Sequence, residues 1–231
     1  MSRIKTLSFE EAKKLISYDL DKLIFEPDSG LDLDFPFEIE PEDFLNFAEL
    51  DLIGESPNFV NVLTNAKRAI DSSVEKVIKI FSLKPIRDNF PSKVNIVNEI
   101  GLVAPRILKK VIQNRNKIEH EYKKPTQSDA EDALDIAYLF VSSVRGTLNV
   151  ITTSYSISES SLLDGYLRSG FYFYFDMENR VWNVLVRNNT SIIGEVEIRP
   201  NDSNYKRFIR LAIASDRKNE DEVFKVIRDI F

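Results

Sequence analysis

Arg115-Asn116-Lys117-Ile118-Glu119-His120-Glu121-Tyr122 is the stretch from which the chain is read outward, because it holds the only histidine among 231 residues. It closes a helical pattern. Leu108, Val111, Ile112 and Ile118 recur at helical spacing, which predicts a helix over 103–121 with one face against a core. At roughly 100° per residue counted from Leu108, Val111 lies at ~300°, Ile112 at ~40° and Ile118 at ~280°. Arg115 at ~340° and Tyr122 at ~320° share that apolar stripe. A guanidinium on a packed face is costly unless it is paired or faces a wet cleft. His120 lies about 140° around the helix from Arg115 and ~7.5 Å further along it. Asn116, one turn before His120, shares its face and can orient the ring. One copy therefore does not aim Arg115 and His120 at one spot, whereas two copies facing across a two-fold axis bring both pairs into a shared cleft.

Arg115-Asn116-x3-His120, continued as His120-x-Tyr122, resembles the signature of the HEPN superfamily in the form typical of its toxins. The resemblance extends over residues 57–153. It implies a helical bundle around the motif and a metal-independent RNA endonuclease whose composite site forms in a homodimer, with no cofactor. Catalysis would fall to Arg115 and His120, with Asn116 and Tyr122 orienting or lining the site. Lys109, Lys110, Lys117, Lys123 and Lys124 are the candidate RNA-binding residues. The family also implies a toxin or phage-defence role, with an antitoxin or regulatory protein as partner. Tyr122 matches the tyrosine that a nucleotidyltransferase-type antitoxin can modify, although this chain is much longer than a minimal HEPN toxin. Non-catalytic members imply the alternative, a HEPN-like module for dimerisation or partner binding.

Each residue also has an ordinary explanation. A histidine near a helix C-terminus commonly serves as a dipole partner, and Arg115 would be satisfied by a core carboxylate such as Asp71 or Asp135. The functional reading rests on Arg, Asn, His and Tyr occurring together in one short window.

Composition narrows the chemistry. The hydrophobic fraction of 43% is that of a soluble globular protein, and 231 residues allow one large or two small domains. Without cysteine there are no disulfides, thiolate metal sites or thiol nucleophiles. Met1-Ser2-Arg3-Ile4-Lys5 lacks the apolar run of a signal peptide, and no stretch reaches the ~18 apolar residues of a membrane span, so a cytoplasmic location is expected. The net charge of -6 hides an asymmetry, because residues 1–56 carry 15 acids and 5 bases, leaving the rest at +4. Within 106–124, Arg106, Lys109, Lys110, Arg115, Lys117, Lys123 and Lys124 are opposed only by Glu119 and Glu121. A polyanion would sit at that density, although such a run is commonly a solvated helix face.

In chain order, Ser8 with Glu10 and Glu11 predicts a capped helix over 9–20. Residues 26–40 read as an acidic loop with at most one short extended piece. Asp32-x-Asp34 is too sparse for a metal site. Pro41 suits the first turn of a helix over 42–52. Val60, Leu63, Ala66, Ile70, Val74, Val77 and Phe81 form the stripe of a long helix over 57–81. Ser92 can cap a helix to Ile100. A capping box at Ser128 and Glu131 opens a helix to Val150 with Ala130, Leu134, Ala137, Val141, Val144 and Leu148 inward. Strands are predicted over 171–175, 181–186 and 191–198, and a fourth over 206–214, from Ile209, Leu211 and Ile213. A closing helix over 220–231 turns Val223, Val226, Ile227 and Ile230 inward. The expected class is α+β: short N-terminal helices, a HEPN-like helical bundle, and a small antiparallel sheet capped by a C-terminal helix. The expected divisions are 1–56, 57–153 and 154–231.

Phosphate-cradling glycine loops of the usual patterns are absent, one histidine cannot supply a two-histidine zinc site, and no serine stands in a nucleophile elbow. The aromatic run from Tyr172 to Phe175 offers rings for stacking single-stranded bases, against the plainer reading of a core strand.

Overall fold

Aromatic rings alternate in direction from Phe171 to Phe175, and one of the two structural units is built on that alternation. The computed structural model describes residues 5–16, 18–102, 124–159, 169–188 and 191–231. The first unit takes the chain up to Leu33 and again from Val150, and the second runs from Asp34 to Asn149.

The first unit is a five-stranded antiparallel sheet in the order β1 (Ile24–Gly30), β2 (Thr152–Ser158), β3 (Gly170–Asp176), β4 (Val181–Asn188) and β5 (Ser191–Ile198). Its helices are α1 (Phe9–Leu15), then, late in the chain, Tyr205–Asp216 and Glu220–Ile230. Register places Tyr155, Phe173, Val184 and Val196 in one row across four strands, all buried. Phe171, Phe173 and Phe175 face the core while Tyr172 and Tyr174 are half-buried on the other face, as period-two burial requires. Rings knit the core together, Tyr155 stacking on Phe173 at 4.8 Å and Phe173 meeting Phe208 at 4.9 Å between centroids. The β3–β4 turn is an Asx turn. Asp176 Oδ1 accepts from the amides of Glu178 and Asn179 at 2.9 and 3.0 Å, and Arg180 takes a φ of 58°. At Gly170 the strands approach so closely that a Cβ would stand 2.7 Å from the Ile157 carbonyl oxygen.

Two expectations are corrected here. Tyr205–Asp216 is a helix, not a strand over 206–214. The period-two reading of Ile209, Leu211 and Ile213 left out Tyr205, Phe208 and Ala212, which with Ile209 and Ile213 make a helical stripe, all buried. Residues 24–30 form an edge strand, which begins earlier and runs longer than the one short extended piece expected within 26–40, and Pro27 is tolerated in it because an edge need not donate every amide. β2 had no prediction at all, since in Thr-Thr-Ser-Tyr-Ser-Ile-Ser only Tyr155 and Ile157 are large and apolar.

The second unit is helical: α2 (Pro41–Ile53), α3 (Phe59–Ile80), α4 (Phe90–Glu99) and α5 (Gln127–Val150). The later helices of the first unit are then α6 (Tyr205–Asp216) and α7 (Glu220–Ile230). α2 and α3 pack against each other, with the Asn58 amide donating to the Asp51 carbonyl (2.9 Å) and Asn65 Nδ2 to the Asp51 carboxylate (3.1 Å). The α3 stripe is buried from Leu63 to Phe81, while Val60 in its first turn stays exposed. Asn89 caps α4 in place of Ser92, and Gly101, just past the C-cap Ile100, takes a φ of 84°. The α5 capping box uses Thr126 and Asp129 rather than Ser128 and Glu131. Asp129 N donates to Thr126 Oγ1 (3.1 Å) and Thr126 N to Asp129 Oδ2 (3.0 Å). All six residues of the α5 stripe are buried, as are the four of α7.

The unit boundaries at 33/34 and 149/150 differ from the sequence-based divisions. A cut at 56/57 separates α2 from α3, and a cut at 153/154 falls inside β2. No described helix is long and apolar enough to cross a membrane.

Candidate functional site

Residues 103–123 lie outside the described residues, and with them Arg115, Asn116, His120 and Tyr122 and the basic residues Lys109, Lys110, Lys117 and Lys123. Lys124 is described and is exposed. The ordinary explanation for Arg115 named two carboxylates. Asp135 on α5 is solvent-exposed, so it is no core counter-ion. Asp71 on α3 is half-buried and holds Lys67 one turn earlier. Among the described residues no three His, Cys, Asp or Glu side chains stand together as a metal site.

Within the second unit a charge cluster surrounds Lys76. Its ammonium contacts Asp34 Oδ1 at 2.7 Å and Glu40 Oε2 at 2.6 Å, and lies 6.0 Å from the Phe37 ring centroid. Burial works against the Lys76 charge, but the two carboxylate hydrogen bonds outweigh it and raise its pKa. The same ammonium holds the Asp34 carboxyl below its ordinary value. Asp34 is thus a tether for the segment that precedes α2.

The sheet carries a polar cluster that no local pattern announces. Tyr172 on β3 faces Ser156 in register, yet its hydroxyl donates to Asp28 Oδ2 on β1 at 2.7 Å, so the ring lies across β2. Ser154 Oγ also donates to Asp28 Oδ2 (3.2 Å), and Ser154 and Ser29 hydroxyls are 2.7 Å apart. Arg187 on β4 stands 5.2 Å from the Tyr172 ring centroid. Burial, opposed by the Ser154 hydrogen bond and aided by Asp28, raises the Tyr172 pKa. Tyr172 is therefore held at its hydroxyl and has a guanidinium over its ring, which is a latch between strands rather than a free platform for bases. Phe171, Phe173 and Phe175 are core. Asp28 and Tyr172 are 144 residues apart, so no spacing signal could have joined them.

A shallow cleft in the first unit is lined by Leu7, Ser8, Phe9, Glu10, Val196, Glu197, Ile198, Asp202, Ser203 and Asn204. Its carboxylates are already engaged. Glu10 pairs with Lys13 (2.8 Å), Glu197 with Arg199, and Asp202 accepts the Arg199 amide (2.7 Å). Tyr155 is wholly buried, its ring packs on Phe173, and that burial pushes its phenol well up.

No family model, curated protein or solved structure matches this chain.

Proposed function

We propose that the chain is a HEPN-type, metal-independent RNA endonuclease acting as a toxin or phage-defence nuclease, with Arg115 and His120 from two copies forming one site. The observation that carries this reading is the motif Arg115-Asn116-x3-His120-x-Tyr122 within a strongly basic stretch of an otherwise acidic chain. The helical character of the second unit, with α3 and α5 each burying one continuous stripe, is compatible with such a bundle. His120 takes the proton of a ribose 2′-hydroxyl, whose oxygen attacks the adjacent phosphorus. The 5′-oxygen leaves with a proton from the partner's His120, giving a cyclic phosphate and a 5′-hydroxyl end. Arg115 neutralises charge on the phosphorane oxygens with two parallel hydrogen bonds. Asn116 orients His120, and Tyr122 lines the cleft. Lys109, Lys110, Lys117, Lys123 and Lys124 hold flanking phosphates. A restraining antitoxin or regulatory protein completes the system.

The test is cleavage of a fluorophore-quencher RNA by purified protein in excess EDTA. Cleavage should persist, and His120→Ala should lower it by about 10²- to 10⁴-fold. Full cleavage by His120→Ala, or activity restored to chelated protein only by magnesium, overturns the reading. The alternative, a non-catalytic HEPN-like module that binds a partner, is favoured by one observation, the uncovered apolar face of α2.

A further inference from the structure

α2 is apolar on two opposite sides, and only one of them is packed. Pro41, Leu45 and Ala48 are buried, whereas Phe47, Leu50 and Ile53 are 45%, 67% and 74% exposed. Counted from Asn46, Phe47, Leu50 and Ile53 lie at ~100°, ~40° and ~340°, so they form one stripe along the helix. Isolated exposed apolar side chains are ordinary, but three consecutive steps on one helix face make a contiguous surface of the kind that recognises a partner.

The charge around the stripe says which partner. Residues 34–66 contain eight carboxylates and no lysine or arginine. Asp43 continues the stripe toward the helix N-terminus, while Glu49 at ~300° and Asp51 at ~140° border it on either side. Asp43 accepts the Glu40 amide and Asp51 accepts side-chain amides of Asn61 and Asn65. Among the described residues no cation pairs with Asp43, Glu49 or Asp51, while Glu42 in the first turn of α2 is met by Arg145 at 2.9 Å. A polyanion or an acidic membrane is repelled by such a rim. A second copy docking α2 on α2 about a two-fold axis would set these carboxylates against themselves. A helix with leucine-like side chains on one face and lysine or arginine beside them satisfies both the stripe and its rim.

We propose that the outer face of α2 is a docking surface for a cationic amphipathic helix of a separate protein, seated on Phe47, Leu50 and Ile53. The proposal is independent of the ribonuclease reading and is tested without RNA. The probe is a fluorescein-labelled three-heptad peptide with Leu at the a and d positions and Lys at the others, titrated with the full chain by fluorescence anisotropy. A matched peptide with Glu in place of Lys is the control. The Lys peptide should bind saturably and the Glu peptide should not. Leu50→Ser with Ile53→Ser removes no charge and should weaken binding at least ~10-fold, because the apolar contact is lost. Phe47→Ser alone is a second variant should the double one lose its circular dichroism. Ile86→Ser, at another exposed position, should bind as wild type. Equal binding by the Leu50/Ile53 and Phe47 variants would mean simple charge attraction and overturn the proposal, as would equal binding of the Glu peptide. Dissociation of a wild-type dimer by Leu50→Ser with Ile53→Ser, seen by light scattering, would assign the face to a second copy and also overturn it.

Discussion

Lys76→Met is the substitution whose cost the structure fixes best. The methionine keeps the aliphatic length over the Phe37 ring but removes the ammonium that Asp34 and Glu40 share. The Lys76 side chain is only 13% exposed and Glu40 33%, while Asp34 is 61% exposed. A hydrogen bond to a charged group in a part-buried setting contributes about 1.5–3 kcal/mol, so the Glu40 contact dominates. The Asp34 contact is screened by water and is discounted to at most about 0.5 kcal/mol. Loss of the cation leaves both carboxylates beside each other, so the expected destabilisation at pH 7 is about 2–3 kcal/mol. The pH dependence has a definite sign. The Asp34 carboxyl lies below its ordinary value of 3.8 in the folded chain. Its share of stability is present above that value and is lost as the pH falls through the folded pKa. The gap between wild type and Lys76→Met should therefore narrow in acid. Urea unfolding followed by circular dichroism at 222 nm, at pH 7 and again below pH 3.8, measures both quantities. A variant within 0.5 kcal/mol (about the floor for surface changes) of wild type at pH 7, or a gap that widens in acid, would refute the tether.

Arg115→Ala should abolish RNA cleavage and leave the thermal midpoint nearly unchanged, because a guanidinium held for phosphate leaves no buried carboxylate stranded when removed. Strong destabilisation with unchanged cleavage per folded molecule would return Arg115 to a structural ion pair. Static light scattering should show a homodimer at micromolar concentration, and a folded, active monomer would remove the composite site. Phe208→Ala deletes a fully buried ring that meets Phe173 at 4.9 Å and Phe9 at 5.4 Å, and should cost about 3–5 kcal/mol. The sole tryptophan, buried Trp182, reports that transition by fluorescence, and a loss below about 1 kcal/mol would contradict the packing.

The α+β character and the main helices were legible from periodicity alone. The stripes of α3, α5 and α7 each repeat over several turns, and a helix presents such a stripe whatever it later packs against. The hairpin of β3 and β4 was equally clear, because Phe171 to Phe175 is an aromatic, strand-like run and Glu178-Asn179 turns the chain. Tyr205–Asp216 was misread because its apolar residues are dense enough to fit period two and period 3.6 together. Burial of Phe208 and Ala212 separates the two.

The motif Arg115-Asn116-x3-His120-x-Tyr122 was read from the sequence by itself, since a motif is a matter of residue type and spacing. Only the tertiary structure decided where β1 belongs. A strand's hydrogen bonds are made by whichever strand it meets, and Ile24 to Gly30 meets Thr152 to Ser158, with the whole helical unit intervening in sequence. The same holds for Asp28, Ser154, Tyr172 and Arg187, four residues from four strands whose contacts exist only once the sheet has formed. The two faces of α2 are apolar alike in sequence. Which one is packed was settled by where α3 lies, and the other remains in water because no described element covers it.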